Sequence, residues 1–156
     1  MADGDQVSML SAVKAYAAGV KRTPPPRNIG VLVVDDEEPV RKFVERVLRE
    51  AGYATAVAAD GAEALQVAAT LDPFDLVVTD VMMPRMTGDE LARRLRQSRP
   101  ELKVLYLTGF SDRLFKEKAT LWADEAFLDK PCSVKALRQA VSLLLFGQVD
   151  EPDAQA

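Results

Sequence analysis

The sequence predicts an α/β fold, a doubly wound parallel sheet covered by helices on both faces, and three observations predict it. Short apolar, β-branched runs alternate along the chain with segments whose apolar residues recur at helical spacing, five of each. Right-handed crossovers between such strands place the helices over both faces of the sheet. The polar residues that end the runs fall at corresponding places: Asp35 and Asp36 after the first, Asp80 after the third, Thr108 after the fourth and Lys130 after the fifth. Between Phe74 and Gly88, an apolar run stops abruptly at Asp80, and Pro84 and Gly88 then break the backbone before a helical pattern resumes. Taken alone, Asp80 reads as a cap of that turn. Its company elsewhere gives it a second reading, because ligands bind at the carboxyl edge of an open α/β sheet.

Ile29 to Val34 is the first strand, and Pro39 sits in the first turn of a helix carrying Val40, Phe43, Val44, Val47 and Leu48 until Gly52 ends it. Tyr53 to Ala58 is a weaker strand. Asp60-Gly61 turns into a helix with Ala64, Leu65, Val67 and Ala68. After the strand that carries Asp80 comes a helix near Asp89 to Arg96, stopped at Pro100. Val104 to Leu107 is the fourth strand, a helix follows near Asp112 to Leu121, and Ala126 to Leu128 is a short fifth strand. The last helix runs from Val134 to Phe146.

Composition sets the limits on function. With 156 residues, 48% hydrophobic and 28% charged, the chain suits one ordinary domain with short appendages. A net charge of -4 and a pI near 4.9 oppose broad electrostatic binding to nucleic acid. The lone Cys132 forms no intrachain disulfide and points to a cytoplasmic protein, and no apolar run is long enough to span a membrane. Histidine is absent, which removes serine-histidine triads and histidine metal sites. Residues 1–28 read as an extension: Met9, Leu10, Val13, Tyr16, Ala17 and Val20 space a short amphipathic helix over 7–20, and Thr23-Pro24-Pro25-Pro26 favours a stiff linker. The main domain is expected over 29–147, with a polar tail over 148–156.

The chemistry follows from the shared edge. Three carboxylates crowded together raise one another's pKa unless a cation is present. Oxygen-only donors with room for water describe magnesium, and zinc lacks thiolate or imidazole partners here. Lys130 adds a fixed positive charge and Thr108 a hydroxyl, so the set suits the neutralisation of phosphoryl oxygens, with Asp80 as nucleophile.

Val31-Leu32-Val33-Val34-Asp35-Asp36-Glu37, Asp80 with Met83-Pro84 and Gly88, Thr108-Gly109 and Lys130-Pro131 together resemble the receiver domain of two-component response regulators, in single-domain form. The resemblance covers about Ile29 to Phe146. It implies a flavodoxin-like sheet of strand order 2-1-3-4-5 and a phosphoacceptor, not a conventional enzyme. The expected donor to Asp80 is phosphohistidine on a separate kinase or phosphotransfer protein. By the same resemblance, Asp36 and Asp80 hold magnesium with the Met82 carbonyl, Asp35 acts through a metal-bound water, and Thr108 and Lys130 contact the phosphoryl group. Phe127 takes the place of the switch aromatic, filling space that Thr108 vacates, and the Lys130-Pro131 bond is expected to be cis.

Output is then expected through a change in partner affinity around the fourth helix, fifth strand and fifth helix. No effector domain follows Phe146, so the output is expected through another protein, as a relay, a phosphate sink or a regulated binding partner. The apolar run Leu143-Leu144-Leu145-Phe146 raises a homodimer surface beside plain burial. One departure from the family pattern is Trp122-Ala123-Asp124-Glu125, where a small Gly-Ala pair is common. Two other classes fit the sequence less well. A haloacid dehalogenase-type phosphatase places its aspartyl nucleophile after the first strand, and a flavodoxin-type flavin site needs a phosphate loop that Asp35-Asp36-Glu37-Glu38 would repel. A receiver-like scaffold that is never phosphorylated is opposed by the complete acidic cluster. Met82 and Phe110 stand two residues after Asp80 and Thr108, and neither can orient a hydrolytic water. An aspartyl-phosphate lifetime of minutes or longer, shortened in Met82→Asn, is therefore expected by timed loss of label; a lifetime of seconds that Met82→Asn leaves unchanged contradicts this.

Overall fold

A computed structural model describes residues 29–70, 73–109 and 124–147. The elements are β1 (Gly30–Val34), α1 (Glu38–Glu50), β2 (Ala54–Ala58), α2 (Gly61–Thr70), β3 (Leu76–Asp80), α3 (Gly88–Arg96), β4 (Lys103–Thr108), β5 (Glu125–Asp129) and α4 (Val134–Phe146). The helices expected over 7–20 and near Asp112 to Leu121 lie outside the described residues, so the last described helix is the fifth of the sequence reading. The five strands form one parallel sheet of order β2-β1-β3-β4-β5. That is the flavodoxin-like order expected from the resemblance. Among the described residues, no helix is long and apolar enough to cross a membrane.

The interior positions of the central strands are mostly apolar because both faces of the sheet are covered. Every residue of β1 and β3 is buried, and the two edge strands, β2 and β5, are partly open. On one face Leu32, Val34, Val77, Val104 and Tyr106 pack with Ala64 and Ala68 of α2 and with Leu91, Ala92 and Leu95 of α3. On the other, Val31, Val33, Leu76, Val78, Leu105 and Leu107 meet Val44, Val47 and Leu48 of α1 and Leu137 and Val141 of α4. Each buried Val or Leu side chain contributes roughly 1.5–3 kcal/mol. Exposed pairs such as Lys42–Glu38, 3.0 Å apart, are screened by solvent and add little, so the two apolar layers carry the fold.

The helix starts follow the residues that announce them. Pro39 lies in the first turn of α1, where no backbone N–H is needed. Asp60 Oδ1 accepts the Glu63 N–H while Glu63 Oε1 accepts the Ala59 N–H, each at 2.8 Å, so α2 begins with a reciprocal cap. Thr87 caps α3 and Ser133 caps α4. Gly147, at φ 74, ends α4 in the left-handed conformation that glycine adopts without strain, its N–H bonded to Leu143 O.

Gly88 is fixed by a different constraint. A Cβ at this position would lie 2.2 Å from the Asp80 carbonyl oxygen, and the Gly88 N–H already donates to Val81 O at 2.7 Å. The start of α3 is thus pressed against the end of β3, which fixes the turn that follows Asp80. Gly88→Ala is expected to destabilise the protein by about 1–3 kcal/mol, the usual cost of overpacking, read as a lower urea midpoint. An unchanged midpoint would show that the turn yields freely.

Candidate functional site

The site is assembled by strand ends. Asp35 and Asp36 follow β1, Asp80 ends β3, Thr108 ends β4 and Lys130 follows β5. Because the strands are parallel and in register, all five residues emerge at one edge of the sheet. Asp35 is fully buried and Asp80 is 5% exposed, whereas Asp36 is open to solvent. One carboxylate oxygen from each of the three lies within 4.8 Å of the other two.

Lys130 closes the cluster from above. Its Nζ is 3.2 Å from Asp35 Oδ2, 3.3 Å from Asp80 Oδ1 and 3.8 Å from Glu37 Oε1. The Lys130-Pro131 bond is cis, as expected. Asp35 Oδ1 accepts the Glu37 N–H at 2.8 Å, and the Arg41 guanidinium donates to the Asp35 carbonyl at 2.7 Å, so backbone and side chain of Asp35 are both held. The other oxygen, Asp35 Oδ2, faces the ammonium outside hydrogen-bond alignment and is otherwise without a hydrogen-bond partner.

Charge in the cluster is unbalanced. Burial, then the Asp35 charge, push the Asp80 carboxyl up from 3.8 to about 7, against the pull of Lys130. Burial likewise raises Asp35, against the Glu37 N–H and Lys130. Burial alone would lower the Lys130 ammonium, but the Asp35 and Asp80 carboxylates outweigh it and hold the group above its usual value. One ammonium cannot neutralise three carboxylates. With all three ionised the carboxylates exceed the ammonium by two charges, and that excess, a donor set made only of oxygen and a buried Asp35 oxygen without a hydrogen bond together fit a hard divalent cation.

The loop after Asp80 is locally strained. Arg85 takes φ 71, unusual for a residue with a side chain, and the Met86 N–H bonds to Pro84 O across it at 2.8 Å. Val81 and Met83 are buried by this path while Met82, 54% exposed, is turned outward beside Asp80. Thr79 Oγ1 donates to the Asp80 carbonyl at 2.9 Å.

Of the sequence-predicted residues, Asp35, Asp36, Asp80 and Lys130 come together as expected. Thr108 is buried at the same edge, but its hydroxyl donates to Asp129 Oδ1 at 2.9 Å. Phe127 is half-buried and packs on Tyr106, ring centres 6.1 Å apart. Phe110 lies outside the described residues. The Asp124 and Glu125 part of the atypical segment is anchored, Asp124 to Lys103 and Glu125 to Arg96. Leu143 and Phe146 are exposed on α4, while Leu144 and Leu145 pack against the core. Sequence reasoning missed Glu37, Arg41 and Asp129. A signal for Asp129 was present, since in β5 it stands two residues from Phe127 and so on the same face.

A parallel sheet of this order with acidic residues and one lysine at its C-terminal edge defines a class, and the chain belongs to the response regulator receiver domain family, whose model matches residues 31–142. It is 39% identical over 116 residues to the sensor kinase CckA of Brucella abortus, an alignment covering 74% of this chain and 12% of the kinase. It is 32% identical over 115 residues to the response regulator receiver protein CpdR of the same organism, covering 74% of this chain and 95% of CpdR. The Vibrio cholerae chemotaxis protein CheY4 matches it with a TM-score of 0.68 at 32% identity, over 76% of this chain and 99% of that one. The chain thus spans a small part of the kinase and nearly the whole of CpdR.

The raised Asp80 carboxyl has a measurable consequence. Between 3.8 and about 7 the folded protein holds a proton that the unfolded chain has released, so Asp80 lowers the stability of the metal-free protein as pH rises through that window. In chelator at pH 8, Asp80→Asn is expected to be more stable than wild type by one to a few kcal/mol, at about 1.4 kcal/mol per pK unit, with the gap closing towards pH 4. Urea denaturation checks this, and a gap independent of pH contradicts it.

Proposed function

We propose that this receiver domain accepts a phosphoryl group on Asp80 and changes its partner affinity as a result. The observation that carries the reading is the Lys130 ammonium lodged between Asp35 and Asp80, with Asp36 alongside. Asp35, Asp36 and Asp80, with the Met82 carbonyl, would hold magnesium, which when bound supplies charge neutralisation at the phosphoryl oxygens. An Asp80 carboxylate oxygen attacks phosphorus while the P–N bond to the donor imidazole breaks, leaving a mixed anhydride on Asp80. Lys130 neutralises charge on the transferred group, and Thr108 supplies a hydrogen-bond donor to it.

Membership of the family implies a phosphohistidine donor on a histidine kinase or a histidine phosphotransfer protein, and that histidine lies outside this sequence, which has none. The group added carries roughly -1.5 to -2 charges. Its pull on Thr108 vacates space beside Phe127, and the described part of the output surface is β5 and α4. The exposed Leu143 and Phe146 supply an apolar patch there for a partner or a second copy. The protein is then a phosphoacceptor that assists its own phosphorylation, and not a turnover enzyme. Intact-protein mass after incubation with acetyl phosphate and magnesium is expected to show one added group of ~80 Da. The adduct should disappear in chelator and in Asp80→Asn. An adduct that survives in Asp80→Asn would assign the acceptor elsewhere, and no adduct where a control receiver is labelled would reject the reading.

A further inference from the structure

The hydroxyl of Thr108 carries a single proton, so it can donate to one acceptor at a time. In this structure the proton goes to Asp129 Oδ1, at 2.9 Å. An ionised acceptor makes this bond stronger than a neutral one. Thr108 is 1% exposed, so water competes poorly for the hydroxyl, whereas Asp129 stands at the surface. The two residues are register partners on β4 and β5, and the preceding same-face pair is Tyr106 with Phe127. The backbone is tied as well, with the Lys130 N–H donating to Thr108 O at 2.8 Å. Rotation of the Thr108 side chain, rather than movement of its strand, is therefore the cheap way to redirect the hydroxyl towards Asp80.

We propose that Asp129 is the resting-state latch of the switch, a positioning residue whose carboxylate holds the Thr108 hydroxyl away from Asp80 until a phosphoryl group outcompetes it. The proposal rests on the reading of Asp80 as phosphoacceptor. It explains why two residues expected to move together, Thr108 and Phe127, are each engaged with a neighbour on the adjoining strand. Occupation of Asp80 must break the Thr108–Asp129 bond, and that loss lowers the apparent affinity for the phosphoryl group.

The test uses beryllofluoride with magnesium as the phosphoryl mimic, titrated by NMR against the full chain. Asp129→Ala, which removes the acceptor, is expected to bind the mimic roughly 3- to 10-fold more tightly than wild type, the range set by the net strength of one hydrogen bond. Asp129→Asn, which keeps an acceptor oxygen without its charge, falls between. In a Thr108→Ala background the Asp129→Ala effect should shrink below about twofold, since coupled residues are non-additive; an effect that persists there is simple charge repulsion and overturns the latch. Side-chain couplings of Thr108 in the resting protein give a readout independent of phosphorylation. One rotamer is expected in wild type and an averaged population in Asp129→Ala, and a single unchanged rotamer overturns the latch. Wild type that takes no mimic overturns the phosphoacceptor reading and the latch with it. Wild type that binds while Asp129→Ala leaves the affinity unchanged overturns the latch alone.

Discussion

One lysine ammonium shared between two buried carboxylates is the interaction on which the candidate site depends. Lys130 reaches Asp35 and Asp80 at nearly equal distances, from a loop that follows the fifth strand. Burial makes each carboxylate costly to ionise, and the single ammonium relieves only part of that cost. The result is an edge that stays acidic, with Asp36 still in contact with water and one oxygen of Asp35 under-bonded. A site in that condition suits a further cation. Without such a cation the carboxylates would repel an anion.

The rest of the fold keeps these charges close. Two apolar layers hold β1, β3 and β4 at the centre of the sheet, so the strands bearing Asp35, Asp80 and Thr108 have little freedom to separate. Gly88 lets α3 press onto the Asp80 carbonyl, and the turn around Arg85 leaves Met82 outward and Met83 inward. Strain in that turn sits beside the proposed chemistry, where a rigid surround can sustain it. Lys130 is tied at its backbone, where its N–H donates to Thr108 O. Its ammonium is held by the charges it faces.

The β4–β5 ladder joins the site to the surface. Thr108 with Asp129 and Tyr106 with Phe127 are successive cross-strand pairs on one face of the sheet. At the other end of the same strands, Glu125 pairs with Arg96 and Asp124 with Lys103. A change at Thr108 therefore has a short physical route to Phe127, while the far end of β5 is pinned. These contacts give the proposed switch a local scale, a side-chain rotation and an aromatic readjustment, rather than a movement of whole strands.

The order of elements, the parallel sheet and the edge at which Asp35, Asp36, Asp80, Thr108 and Lys130 meet were legible in the chain itself. Apolar runs ending in a polar residue, with turn signals after them, place those residues at one edge wherever strands run parallel. The strand order came from the family resemblance, since periodicity alone does not rank strands. Tertiary structure decided what each group meets. That Lys130 divides itself between Asp35 and Asp80, that Arg41 holds the Asp35 carbonyl and that Gly88 touches Asp80 are facts of packing between segments distant in sequence. The Thr108 hydroxyl shows the division most clearly. Its residue type and place at the edge are set by the sequence, but its choice of Asp129 as acceptor depends on the register of two strands and the direction of one O–H bond, which only the assembled sheet fixes.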